Sequence, residues 1–274
     1  MIIKALVENT STSKELKSIH GLSLYIETQK HKILFDLGPG KLFLENAQKM
    51  NINIEDIDIV IISHGHNDHG GALKAFLKNN QKAKIYIKDT AFEDYYMRLL
   101  CFKIYVGLDQ GLHNNNRIIL TKDYLKIDEE LELFSNVTEQ KLLPSANNKL
   151  YKKSGKRYIM DTFDHEQSLI LRQNNTYTLI AGCAHNGIVN ILNKAEDIIG
   201  MEINKVISGF HLFQLSLDKA ENMDYLHELA KALKSRRSIY YTCHCTGKKQ
   251  YDVLHKDMGD QMNYISTGMT IEFV

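Results

Sequence analysis

The sequence predicts an α/β chain folded as a four-layer αββα sandwich, two mixed β-sheets with helices on their outer faces. Three observations lead there. The first third is rich in short apolar runs, strand-like runs return from Gln167 and alternate with helical stripes, and no fixed-period repeat or low-complexity linker separates the two similar halves. Strands followed by helices in both halves bury their apolar faces most simply by packing sheet on sheet with helices outside. The expected organisation is a single domain over 1–274, with a variable insertion at about 90–165.

The elements follow in order. IIKALVE, LSLYIET and KILFDLG are short apolar or alternating runs separated by polar and Gly-containing breaks, the pattern of strands. Residues 57–62, IDIVII, are apolar at every position but Asp58, as in a strand buried on both faces, and the run ends directly at SHGHNDHGG. Beyond the glycines, Ala72, Leu73, Ala75, Phe76 and Leu77 fit one face of a helix, and AKIYIKD reads as a further strand. Between 90 and 165 the periodicity weakens, with Tyr95, Tyr96, Arg98, Lys103, Tyr105, Arg117 and Arg157 scattered through it. Two readings of that segment stand side by side: a lid that stacks on a flat ring and pairs with phosphate, or ordinary surface and partial core. QSLILRQ and YTLIAGCAH then read as two strands joined by an Asn174-Asn175 hairpin turn. A helical stripe from Ile188 to Ile199, the strand KVISG, a helix marked by Leu226, Leu229, Ala230 and Leu233, and the strand SIYYTCH complete the pattern.

Composition narrows the function classes. Thirty-four Lys and Arg against 33 Asp and Glu leave a net charge of +1, so no global field favours nucleic acid or an anionic membrane, and a charged ligand must be held locally. The segment MIIKALVENT lacks the layout of a signal peptide, and no apolar run approaches the roughly 18 residues of a membrane span. A cytoplasmic protein without membrane or nucleic-acid partners is expected. The cysteines, Cys101, Cys183, Cys243 and Cys245, are too few and too unevenly spaced for a disulfide framework, so reduced thiols are expected.

The chemistry concentrates at His64-Gly65-His66-Asn67-Asp68-His69, four potential metal ligands within six residues at the end of a buried strand. Neutral imidazoles and a carboxylate suit zinc and related divalent ions. One histidine alone is more often satisfied by ordinary hydrogen bonds; three with a carboxylate, delivered by an apolar strand, would be a costly arrangement without a cation. His185 follows YTLIAGCA and His244 follows SIYYTC, so each also sits at the C-terminal end of a strand, where ligand crevices form in open sheets. Together the six residues supply the ligand count of a two-metal site.

SHGHNDHGG resembles the His-x-His-x-Asp-His signature of the metallo-β-lactamase superfamily. HGLSLYIET with ILFDLG, then GCAHNGIVNI, SGFHL and CHCTG, resemble its dihydropteroate-synthase-like branch, whose members carry names such as 7,8-dihydropterin-6-methyl-4-(β-D-ribofuranosyl)aminobenzene-5′-phosphate synthase. The likeness covers nearly the whole chain outside 90–165.

It implies two divalent metal ions, zinc in the first instance with iron or manganese as alternatives. One would be held by His64, His66 and His185, the other by Asp68, His69 and His244. Asp36 is implied as the residue behind the ligands that orients the metal loop. One departure stands out: many superfamily hydrolases place a bridging Asp after the strand that here reads KVISG, where this chain has Phe210 and His211. Either His211 supplies a ligand or a substrate contact, or the second site is weaker. His66 stands where the diiron branch carries Glu, which argues for hydrolytic or Lewis-acid chemistry over redox chemistry.

The expected function is a metal-dependent enzyme acting on a phosphorylated or otherwise anionic small molecule, pterin-like by the resemblance, through hydrolysis or transfer. Asp68 would be the catalytic carboxylate and His20 a substrate-pocket residue. The rivals are thioester or lactone cleavage on the same scaffold and a non-catalytic metal- or ligand-binding protein. Cys183, Cys243 and Cys245, flanking the late histidines, read as a soft ligand or redox element, or as small buried packing residues.

Overall fold

The computed structural model describes residues 1–213 and 221–273. Contacts group them into two compact units: residues 1–96, 105–122 and 265–274 in the first, 97–104 and 123–264 in the second.

The first unit is built on a seven-stranded mixed sheet. Its order is Thr270–Glu272, Ile2–Val7, Ser23–Glu27, Lys32–Phe35, Ile59–Ile62, Lys84–Lys88 and Ile118–Thr121. The first four strands run antiparallel, and from Lys32–Phe35 onward the pairing is parallel, with Leu34 opposite Val60 and Ile61 opposite Tyr86. The apolar run sensed in the sequence is the parallel centre, and all four residues of Ile59–Ile62 are buried. The helices Leu42–Lys49 and Leu73–Asn79 contribute Phe43, Ala47, Leu73 and Phe76 to a core that includes Leu6, Leu34, Val60, Ile62, Ile85 and Ile87. At about 1.5–3 kcal/mol per buried large apolar side chain, this core is what holds the Ile59–Ile62 strand end in place.

The second unit has its own seven-stranded sheet: Met262–Tyr264, Ile239–Thr242, Lys205–Ser208, Thr176–Ile180, Ser168–Gln173, Leu131–Phe134 and Tyr124–Lys126. The first four are parallel and the rest antiparallel. Asn174 and Asn175, both at positive φ, close the hairpin between Ser168–Gln173 and Thr176–Ile180, as type I′ geometry requires. The helices Ile188–Ile199, Met223–Lys234 and Lys248–Met258 bury Ile191, Leu192, Leu229, Leu233 and Leu254 with Leu179, Val206 and Tyr240 of the sheet. Gly200 ends the first of these helices in the left-handed conformation, φ 69°.

The segment 90–165 does not form one body. Ile118–Thr121 extends the first sheet, while Tyr124–Lys126 and Leu131–Phe134 extend the second. Only Tyr95–Leu99, Phe102–Tyr105, Leu150–Ser154 and Arg157–Met160 make a separate four-stranded sheet, mostly of second-unit residues. Its outer strands are exposed throughout, and Lys103 caps the rings of Tyr151 and Tyr158 at 5.4 and 4.4 Å. Such exposed alternation without an apolar stripe is why the sequence pattern there was weak. No helix among the described residues is long and apolar enough to cross a membrane.

Candidate functional site

In the first unit, the histidine cluster begins where Ile59–Ile62 ends. Asp36, one residue past the neighbouring strand Lys32–Phe35, turns at φ 58° so that its fully buried carboxylate faces the loop. It accepts hydrogen bonds from Ser63 N (2.7 Å), Ser63 Oγ (2.8 Å) and His69 Nδ1 (2.6 Å). This network fixes proton positions. The Ser63 hydroxyl has one hydrogen and gives it to the acceptor-only carboxylate, so the 2.8 Å contact to His64 Nδ1 has the imidazole as donor. His64 and His69 therefore both carry their proton on Nδ1, and both present an Nε2 lone pair, the form in which imidazole binds metal.

The rings converge. His64 and His69 are fully buried with centroids 4.1 Å apart, and His66 stands edge-on to His64 at 4.6 Å. His66 caps a single helical turn, Asn67–Gly70, that brings Asp68 and His69 round to the same side. Asp68 Oδ2 lies 3.6 Å from His69 Nε2 and 3.3 Å from His20 Nε2. His20 Nδ1 meets Asn9 Nδ2 at 3.3 Å, and because that amide nitrogen can only donate, the neutral His20 ring carries its proton on Nε2 and donates it to Asp68. His20, expected in a substrate pocket, is thus the partner of the Asp68 carboxylate. The peptide after it, Leu22 N, donates to Asp68 O at 3.2 Å.

In the second unit, His185 lies just beyond Thr176–Ile180 and is 1% exposed. Asn147 grips it twice: its Nδ2 donates to His185 O at 2.8 Å, which leaves Oδ1 to accept from His185 Nδ1 at 3.0 Å. His185 therefore also presents Nε2. The Phe163 ring stacks flat on the imidazole at 4.4 Å and 4°. Below, the buried Glu166 carboxylate accepts from the backbone N–H of His185 (2.7 Å) and of Asn186 (2.9 Å). Burial pushes the Glu166 carboxyl up from its ordinary range, against the pull of those donors. His211 lies 4.2 Å from His185, ring to ring, and His244 is buried at the start of a short helical turn after Ile239–Thr242. Ala184, His211 and His244 all have φ near +50°, a conformation that costs a non-glycine residue about 1–2 kcal/mol. Strain of this kind gathers where side chains must be aimed.

Sequence reasoning missed Asn147, Phe163 and Glu166, as well as the buried Asp161–His165 pair at 3.1 Å. The first two come from the weakly patterned segment, and no local motif marks any of them. Asn147→Ala should lower metal affinity about 10–100-fold, because the imidazole loses the acceptor that sets its tautomer; competition with a chromogenic chelator would measure this, and an unchanged affinity would refute the role. Beside His185 opens a cavity of about 720 Å³, lined by Asn147, Asn148, Asp161, Thr162, Phe163 and Asp164 among others, with no Lys or Arg among the described residues of its walls.

The sheets, the strand-end histidines and the Asp36 carboxylate behind the first of them define the class: the chain belongs to the metallo-β-lactamase superfamily and has its fold, and that family's model matches residues 19–143. Uncharacterized protein MJ0448 of Methanocaldococcus jannaschii is 30% identical over 90% of this chain and 91% of its own length. The 7,8-dihydropterin-6-methyl-4-(beta-D-ribofuranosyl)-aminobenzene-5′-phosphate synthase of the same organism is 27% identical over 93% of this chain and 90% of its own. The crystal structure of Tm1679, a metal-dependent hydrolase of the beta-lactamase superfamily, matches at TM-score 0.83 and 26% identity, covering 100% of this chain and 99% of that one.

Proposed function

We propose that this protein is a metal-dependent enzyme with a dinuclear centre that acts on a phosphorylated or otherwise anionic small molecule by hydrolysis or group transfer. His64, His66 and His185 would hold one ion; Asp68, His69 and His244 would hold the other, with zinc suited to this donor set. The observation that carries this reading is the fixed tautomer of His64, His69 and His185, each with its proton committed on Nδ1 and Nε2 left as the donor atom. Histidines serving only as packing need no such uniform arrangement. When bound, the ions supply Lewis acidity toward a phosphoryl or carbonyl oxygen.

The chain's own groups do the rest. Asp68, braced by the His20 N–H, is the carboxylate placed to orient water and accept its proton. The cavity beside His185 offers amides, a hydroxyl and carboxylates, so it suits the uncharged, hydrogen-bonding portion of a substrate whose anionic end is held by the cations. A flat heterocycle would rest against Phe163. The synthase relative makes a pterin-type phosphate compound a rational first substrate, and the hydrolase relative supports testing hydrolysis beside transfer.

Two measurements test this. Asp68→Ala should keep the fold and reduce turnover at least about 100-fold against a panel of pterin diphosphates, phosphodiesters, thioesters and lactones; a wild-type protein that binds metal and converts nothing on the panel would point to a binding protein. Removing metal with a strong chelator should lower the unfolding temperature, since an ion bound only by the native state stabilises it by about 4 kcal/mol at 1,000 times its dissociation constant. Identical melting curves with and without chelator would count against a resident ion.

A further inference from the structure

We propose that Cys183, His211 and Cys245 form a thiolate-bearing binding site for a soft, zinc-type metal ion within the second unit. The donors come from three successive parallel strands of one sheet. Cys183 follows Thr176–Ile180, His211 follows Lys205–Ser208 and Cys245 follows Ile239–Thr242, with Leu179 opposite Val206 and Ile207 opposite Tyr241. Their Sγ atoms and an imidazole nitrogen all lie within 4.8 Å of one another. Around zinc, with bonds of about 2.3 Å to sulfur and about 2.0–2.1 Å to nitrogen, tetrahedral donors sit roughly 3.5–4 Å apart, so the group closes on an ion with side-chain movements of an ångström or less.

The surroundings are shaped for the sulfur. Cys183 and Cys245 are buried and outside any disulfide, each 3% exposed. A Cβ on Gly209 would fall 2.5 Å from Cys245 Sγ, so the glycine leaves the volume that the sulfur fills. His211 N–H donates to Cys245 Sγ at 3.2 Å, a backbone hydrogen bond of the kind that steadies a ligating thiolate. His211 holds the left-handed conformation at φ 51°, pinned by Phe210 N to Thr246 Oγ1 (2.9 Å) and Phe213 N to Cys245 O (2.9 Å). Cysteines that merely fill space require neither a histidine nitrogen turned toward both sulfurs nor a strained backbone to place it. The dinuclear reading takes other donors, and His211, left open by the sequence between ligand and substrate contact, is assigned here to the thiolate group.

Cobalt(II) titration of the reduced, metal-free full-length protein tests it. Wild type should develop a near-ultraviolet thiolate-to-cobalt charge-transfer band. Cys183→Ser and Cys245→Ser should each remove about half of its intensity or more, as expected when one of two thiolate ligands is lost. Cys101→Ser, at an exposed position, should leave it unchanged. His64→Ala/His66→Ala should abolish turnover and keep the band, which separates failure of the dinuclear reading from failure of this one. A saturated wild type without the band, or a band indifferent to both serine variants, overturns the proposal. Should the serine variants fail to fold, zinc-edge X-ray absorption of the His64→Ala/His66→Ala protein decides: sulfur scatterers near about 2.3 Å support the site, and nitrogen and oxygen alone refute it.

Discussion

Asp36→Ala should cost the protein about 3–5 kcal/mol of stability and lower its metal affinity about 10–100-fold. Three donors, Ser63 N–H, Ser63 Oγ–H and His69 Nδ1–H, end on that one fully buried carboxylate. Each donor left unsatisfied in a dry interior costs about 1–3 kcal/mol. The metal effect has a separate cause: without the carboxylate, nothing fixes the proton of His69 on Nδ1, and the Ser63 hydroxyl is released to turn toward His64. Asp36→Asn should lose less, because asparagine tolerates φ 58° and keeps one acceptor oxygen. Urea unfolding of the metal-free protein reads the first effect and metal competition the second. A change within about 0.5 kcal/mol, with unaltered affinity, would mean that the network is ornamental.

Gly65→Ala is the second large expectation. A methyl group there would stand 2.4 Å from the carbonyl oxygen of Ala91 and 2.8 Å from the Tyr95 ring. Neither neighbour can give way. The Ala91 oxygen is backbone, and Tyr95 is 1% exposed with its hydroxyl donating to Thr90 O at 2.7 Å. The His64–His66 loop must therefore move. A displacement of about 1 Å at a catalytic centre costs on the order of 100-fold in turnover, and overpacking typically costs about 1–3 kcal/mol of stability. The same substitution at Gly40, where nothing stands within 4 Å of the added atom, provides the control. Equal activity of the Gly65 variant and this control would show that the loop is more forgiving than its packing implies.

What the sequence made legible was what periodicity and local clustering can encode. The run 57–62, the helical stripe of Ile188–Ile199 and the Asn174-Asn175 turn each follow from residues a few positions apart, and each element appears in place. The His64–His69 cluster was visible because four donors fall within six residues of sequence. Asn147, Phe163 and Glu166 were not, because their roles depend on distance in space: Asn147 reaches His185 across 38 residues and Glu166 across 19. An asparagine in a loop looks the same whether it faces water or sets a tautomer. The helices Leu42–Lys49 and Lys248–Met258 also escaped notice, the second because its surface is so polar that only Gln250, Leu254 and Met258 are buried.

The strand Thr270–Glu272 pairs with Ile2–Val7, and Glu8 N–H donates to Thr267 Oγ1 across 259 residues. During synthesis, the sheet begun first must then wait with an open flank until the chain has passed through all of the second unit and come back. The unit begun later completes its own sheet earlier, with residue 264. A released chain ending between residues 264 and 270 should therefore carry a protease-resistant second unit beside a first unit still open to cleavage. Long-range closure of this kind sets the pace of folding from the unfolded chain as well.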